Sequence, residues 1–199
     1  EKELNERCLK VLKAKQKFVL QAKSFKTYTV GEQQWARRKS YESALTVLKN
    51  DEATLPLSDL SRKIESISIG ENHTSLKKSI GDFADVDHYS FANPSEAKSF
   101  FATKRASDVL LINLHASTVR ARDGYGFGEG WQEILTLIPS KKTVVLNLFG
   151  NPQALKGVDL SAVDAVVVAY ENHPLVQERA AQLIFGAAPS AGKLPMTIQ

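Results

Sequence analysis

From residue 62 onward, short runs of apolar residues alternate with stretches whose apolar positions recur every three to four residues. That alternation is the pattern of parallel strands joined by crossover helices. The runs predict strands at 64–69, 86–91, 109–114, 143–149 and 165–169, with helices near 74–83, 94–104, 128–138 and 174–186 between them. Val109-Leu110-Leu111-Ile112 and Val166-Val167-Val168 are apolar at consecutive positions, so both faces of those strands must be covered. The prediction is an α/β fold: a three-layer α/β/α sandwich of about five mostly parallel strands, flavodoxin-like, with the 193–198 tail as a candidate extra edge strand. Two helix starts carry a polar residue followed by proline, Asn93-Pro94 and Asn172-His173-Pro174, and in the second the cap is assigned to Asn172.

The first sixty residues follow a different pattern. Leu4, Cys8, Val11, Leu12, Lys15 and Phe18-Val19 fall on a period near 3.6, predicting a helix over 3–19 whose apolar stripe must pack against something. Cys8 on that stripe reads as a buried packing residue. Residues 23–31 interrupt the pattern with Ser, Thr and Gly. Trp35, Tyr41, Ala44-Leu45 and Leu48 then resume it as a second helix, which Leu55-Pro56-Leu57 ends in an extended turn. The organisation expected is a helix over 1–22, a linker and helix over 23–61, and the α/β sandwich over 62–199.

Composition narrows the function classes. The 199 residues, 43% hydrophobic and 24% charged, suit one globular domain, or one domain with an appendage. No run approaches the roughly 18–20 apolar residues of a membrane span, and Glu1-Lys2-Glu3 is not the start of a signal peptide. The chain begins without Met, directly in charged helical sequence, and is expected to be a piece of a longer protein. The net charge of +4 divides into +7 over residues 1–50 and −3 over the remainder. Lys2, Lys10, Lys13 and Lys17 alternate with apolar positions at helical spacing, which describes a solvated helix face; a nucleic-acid partner is not expected. Cys8 is the only cysteine, so no internal disulfide can form. His73, His88, His115 and His173 are widely scattered, without CxxC or HxxxH spacing, so neither a metal nor another cofactor is implied.

In open α/β sheets ligands gather at the carboxyl ends of the strands, which directs attention to the loops there. The longest and most polar, 115–128, carries His115, Ser117, Thr118, Arg120, Arg122, Asp123 and three glycines. Arg120 and Arg122 could grip an acidic or polyhydroxyl ligand through charge-assisted hydrogen bonds, or form a solvated basic turn. His115 stands at a strand end, yet no serine or cysteine elbow accompanies it, so a structural or substrate-contacting role is expected rather than a general base. His73 reads as a surface residue. The run Gly124 to Gly130 lies after the third strand with Tyr125 and Phe127 between its glycines, which does not fit a dinucleotide fingerprint. Glycoside hydrolysis usually needs two facing carboxyl groups, and no strand-end loop presents a clear pair. Asp123 and Glu129 are near in sequence, but their spacing decides nothing.

Three stretches together resemble the C-terminal α/β domain of glycoside hydrolase family 3, particularly its bacterial β-N-acetylglucosaminidase-like members. One is Ala36 to Asn50 with its Leu48-Lys49-Asn50, followed by Leu55-Pro56-Leu57. Another is Thr143 to Leu155 with Phe149-Gly150-Asn151-Pro152. The third runs from Ala169-Tyr170-Glu171-Asn172 through Phe185-Gly186 to Gly192-Lys193-Leu194-Pro195. Residues 1–22 are similar to the helix that closes the family's preceding barrel, so the resemblance spans the chain. It implies an N-terminal TIM-barrel domain of the same polypeptide as partner, carrying the nucleophilic aspartate and, in the glucosaminidase branch, a histidine-aspartate acid/base pair. It also implies a carbohydrate substrate and a periplasmic or secreted location.

In the family's β-glucosidase branch the acid/base is a glutamate on the loop after the third strand of this domain. Laying His115 and Thr118 on that loop's histidine and threonine puts Val119 in the glutamate's place, and valine cannot transfer a proton. The expectation is therefore the second domain of an exo-acting β-N-acetylglucosaminidase that hydrolyses with retention. It would hold no catalytic residue of its own and would contact substrate through His115, Thr118, Arg120, Arg122 and Asp123. Alternatives are a non-catalytic flavodoxin-like binding module and an assembly that has lost activity and serves as a scaffold.

Overall fold

The computed structural model describes residues 2–21, 27–102, 107–139, 142–194 and 197. These fall into two compact units, residues 1–36 and 37–199. In the first, α1 (Lys2–Gln21) is followed by the start of α2 (Val30–Ala44). Thr29 and Glu32 form a capping box there: Glu32 Oε2 accepts from the Thr29 N–H at 2.8 Å and Thr29 Oγ1 accepts from the Glu32 N–H at 3.2 Å. Over residues 4–15, where its side chains are described, the stripe on α1 does not pack as the sequence requires, and the Phe18-Val19 side chains of the expected stripe lie outside the description. Leu4 and Leu12 are exposed, and so is Cys8, which corrects its assignment to a buried position. Each residue of that stripe needs a neighbouring surface to bury it, and this unit supplies none among its described residues.

The second unit holds a six-stranded sheet: β1 (Thr46–Asn50), β2 (Ile64–Ile69), β3 (Val86–Phe91), β4 (Val109–His115), β5 (Thr143–Phe149) and β6 (Ala165–Val168). The spatial order is β1-β6-β5-β4-β2-β3, parallel except for β1, which runs antiparallel along β6. Without β1 this is the flavodoxin-like order, and the direction of winding reverses between β2 and β4. Helices α3 (Thr74–Gly81) and α6 (Pro174–Ile184) cover one face, α4 (Pro94–Phe101) and the single turn α5 (Glu133–Thr136) the other. The three-layer α/β/α sandwich is thus as the apolar runs predict.

Two clusters form the core, one on each face of the sheet. Alternation along the strands sends Ile67, Ile112, Leu114, Leu146 and Leu148 toward α4 and α5, where Phe127, Trp131 and Ile134 meet them. Leu111, Val145 and Val167 pack instead against Leu76 and Ile80 of α3 and Val176 and Ala180 of α6. On this second face Asn113 and Asn147 are also fully buried. Asn113 Nδ2 donates to Ser66 Oγ at 2.9 Å and Asn147 Nδ2 to Asn113 Oδ1 at 2.7 Å, a polar row crossing β2, β4 and β5.

Several element ends differ from the sequence reading. The second helix stops at Ala44, and Thr46–Asn50, read as its continuation, is the strand β1. Val47 and Leu48 fit a helical period, but β6 offers an open edge that Thr46 and Val47, both β-branched, can pair with (Thr46↔Val168, Val47↔Val167). The sixth strand is therefore β1. Of the 193–198 tail proposed for that place, residues 195, 196 and 198 lie outside the described residues, while 193, 194 and 197 are not in a strand. The helix expected over 128–138 shrinks to Glu133–Thr136, because Gly128 and Gly130 hold φ of 81° and 70°, incompatible with a helical start. Helix α4 ends at Phe101, and positions 103 and 104 of its expected span lie outside the described residues.

Candidate functional site

His115 ends β4, and the loop after β2 (Gly70 to His73) lies beside it, so both sit where the winding reverses. Gly70, with φ of 105°, lets the chain leave β2 against the His115 carbonyl: a Cβ built on it would stand 2.3 Å from that oxygen. The imidazole of His115 lies flat on the Phe149 ring, with centroids 4.7 Å apart and planes 6° apart, and only 1% of the residue is exposed. Its Nδ1 is 3.0 Å from Asn172 Oδ1, and its Nε2 is buried without a protein partner. Burial pushes its pKa down from 6.5 to about 4; the Asn172 bond opposes this and nearby His73 adds to it.

His73 precedes the first residue of α3, and its ring lies 5.8 Å from that of His115. Its Nδ1 is also buried without a protein partner, and burial, then the charge of Lys77, lowers its pKa. The surface reading of His73 gives way to a half-buried place beside His115.

The cap of α6 is not Asn172 but His173, whose Nδ1 accepts from the Leu175 N–H at 3.2 Å. Pro174 is the first helical residue, so the residue directly before it holds the cap position, as Asn93 does before Pro94. Asn172 is thereby free to bridge. Its Nδ2 donates to the Glu71 carbonyl at 3.0 Å, and its Oδ1 accepts from Gln177 Nε2 at 2.7 Å. Gln177, fully buried, also donates to the Asn72 carbonyl at 2.5 Å and accepts from the Leu76 N–H at 2.9 Å. Beside it, Tyr41 packs its ring on His173 at 5.4 Å and donates to Glu171 Oε2 at 2.9 Å.

The loop after His115 goes elsewhere. Ala116 N–H donates to the Phe149 carbonyl and Ser117 N–H to the Gly126 carbonyl, so the loop closes on itself. Phe127 and Trp131 anchor it in the core on the α4 and α5 side, and Gly150 leaves the room that Phe127 and Ala116 fill. Between these anchors the tip rises into solvent. Thr118 is half-buried and its Oγ1 accepts from the Arg120 N–H at 3.3 Å. Arg120 is exposed, and Arg122 Nε lies 3.7 Å from Asp123 Oδ1 in an exposed ion pair.

Of the five residues expected to contact a ligand, the structure gathers Thr118, Arg120, Arg122 and Asp123 on this tip. His115 lies below, with no hydrogen bond or ion pair to any of them among the described residues. Val119 on the tip is 65% exposed. Among the described residues, no group of three His, Cys, Asp or Glu side chains is placed to hold a metal ion, and no helix is long and apolar enough to cross a membrane. Sequence reasoning missed Asn172 as the partner of His115 and Gln177 as a partner of Asn172. The proline at 174 was the available signal, since it moves the cap to 173.

No family model matches the sequence, and no curated protein matches it. Solved structures do. A β-N-acetylglucosaminidase of glycoside hydrolase family 3 from Paenibacillus sp. str. FPU-7 superimposes over 100% of this chain and 40% of its own, with a TM-score of 0.62 and 15% identity. A fungal multi-domain β-N-acetylglucosaminidase of that family, described with a GCN5-related glucosamine N-acetyltransferase region, matches over 87% of this chain and 20% of its own (TM-score 0.58, 21% identity). A β-glucosidase from Listeria innocua, in complex with isofagomine, matches over 80% and 26% (TM-score 0.58, 16% identity). The chain thus shares its fold with a minor part of each of these larger proteins.

Proposed function

We propose that this chain is the second, α/β domain of a family 3 glycosidase that removes terminal β-linked N-acetylglucosamine with retention. In this reading the nucleophile and the acid/base group reside on a TIM-barrel domain of the same polypeptide. The observation that carries it is the coverage. Between 80% and 100% of this chain superimposes on a fraction of enzymes that act on β-glycosides, two of them β-N-acetylglucosaminidases.

The tip of the 115–128 loop supports the division of labour. The one tip carboxylate, Asp123, is engaged by Arg122, and the exposed Val119 stands where the resemblance puts the acid/base glutamate of the β-glucosidase branch. The tip offers a hydroxyl, two guanidinium groups and a carboxylate, which suits grip on sugar hydroxyls at the mouth of a neighbouring barrel.

The test is turnover of an aryl β-N-acetylglucosaminide. The 199-residue chain alone is expected to show none, and the polypeptide carrying its barrel is expected to be active. Robust turnover by the chain alone would overturn the assignment of chemistry to the barrel. In the longer polypeptide, Arg120→Ala and Arg122→Ala together are expected to lower kcat/KM about tenfold or more, the weight of one or two charge-assisted hydrogen bonds. Unchanged kinetics would remove the tip from the substrate site.

A further inference from the structure

The hydrogen bond between His115 and Asn172 can be read in one direction only. An imidazole nitrogen at 3.0 Å from an amide oxygen is a donor if it carries hydrogen, and it is a repelled lone pair if it does not. The amide's orientation is fixed from two other sides. Asn172 Nδ2 needs a carbonyl and has that of Glu71, while Oδ1 needs a donor and has Gln177 Nε2. Gln177 is fixed in turn, since its Oε1 accepts from the Leu76 N–H and its Nε2 donates to the Asn72 carbonyl. Flipping either amide would set donor against donor and carbonyl against carbonyl. The atom facing His115 is therefore an oxygen with lone pairs, and Nδ1 of His115 carries the hydrogen. A neutral imidazole has one N–H, so Nε2 holds a lone pair, in a buried position where no protein group donates to it.

We propose that Asn172 is a positioning residue that locks His115 in the Nδ1–H tautomer and so presents Nε2 as a fixed acceptor for a hydroxyl hydrogen at the crevice between β2 and β4. A buried ring nitrogen with this kind of support on its other side is the usual way a histidine is aimed at a second ligand. The ligand class is an O–H donor. Two sources share that chemistry, an internal water and a sugar hydroxyl, and only the second rests on the glycosidase reading. His73, with its ring 5.8 Å away and Nδ1 also without a protein partner, is the second polar group from which such a hydroxyl could be held.

The test is long-range nitrogen–proton NMR of the histidine rings in the 199-residue chain near neutral pH, with His115 assigned by the signal missing from His115→Asn. The expected spectrum has a protonated Nδ1 and an unprotonated Nε2. A protonated Nε2, or averaging between tautomers, overturns the proposal. Asn172→Leu removes the acceptor and is expected to shift the population toward Nε2–H, whereas Asn172→Asp retains an acceptor and is expected to keep Nδ1–H. Loss of stability without this contrast between the two variants would show a merely structural asparagine and overturn the positioning role. Adding N-acetylglucosamine separates the sources. A displaced Nε2 resonance assigns the hydroxyl to sugar, and an unmoved one assigns it to water and leaves the enzymatic reading to the turnover assay.

Discussion

Acidification from pH 7 to pH 4 is expected to remove about 3 kcal/mol of folding stability through His115 alone, since its folded pKa of about 4 lies roughly 2.5 units below the ordinary 6.5 and each unit is worth about 1.4 kcal/mol. A depressed histidine pKa means that the fold favours the neutral ring. The contribution is complete above pH 6.5, where neither state binds the proton. It falls as the pH drops through the window from 6.5 to about 4, where the unfolded chain is protonated and the folded chain is not, and below that window it is gone. His73 and His88 are also shifted down by burial, so they add slopes of the same sign, reduced by their exposure to solvent.

Urea unfolding at pH 7, 5.5 and 4 measures the wild-type slope. His115→Asn cannot titrate. It forfeits the stacking on Phe149 and is expected to be less stable at pH 7, yet to lose about 3 kcal/mol less than wild type between the two extremes. A variant with the wild-type slope would show that the acid sensitivity lies elsewhere.

The sheet was legible because its central strands are apolar on both faces, a pattern with one economical explanation, and β2, β3 and β5 lie where the runs begin and end. The edges were less so. An edge strand is half a strand's worth of signal: in β1 only Thr46 is buried, and Val47 and Leu48 serve a helical period as well as an extended one. The same limit applies to α1, whose stripe demands a partner that no local pattern can name. At the candidate site, the strand rule placed His115 correctly at the carboxyl end of β4, and the loop tip emerged with its four polar residues together. The connection of His115 to Asn172 was not readable. It spans 57 residues and depends on β6 emerging on the same side of the sheet as the exit from β2, with the cap of α6 falling one residue later than the cap rule was applied. Tautomer and burial follow from that connection, and so does the separation of His115 from the arginines that follow it in sequence.

A second large effect is expected at a position with no side chain. Gly70→Ala should destabilise the fold by about 3 kcal/mol or more, because two independent penalties meet there. The backbone φ of 105° is one that a residue with a Cβ adopts at a cost of about 1–3 kcal/mol. The added methyl would also stand 2.3 Å from the His115 carbonyl oxygen and 3.1 Å from its Cβ, neither of them the movable end of a flexible side chain, so relief requires β2 and β4 to part at their carboxyl ends, at a further cost of about 1–3 kcal/mol. Gly70 N–H is bonded to the Phe91 carbonyl of β3, which holds the residue on its other side. Gly124→Ala serves as the control: its φ of 59° is also positive, but open space surrounds the added atom, so only the conformational cost of about 1 kcal/mol applies. The unfolding free energies of the two variants in urea should therefore separate by about 2 kcal/mol or more. Equal losses would mean that the strand ends yield freely, and a crevice that yields freely could not hold His115 against Asn172. The Gly70 variant should also disturb the His115 ring resonances while the Gly124 variant leaves them in place, because the strain enters the molecule at the carbonyl of the histidine itself.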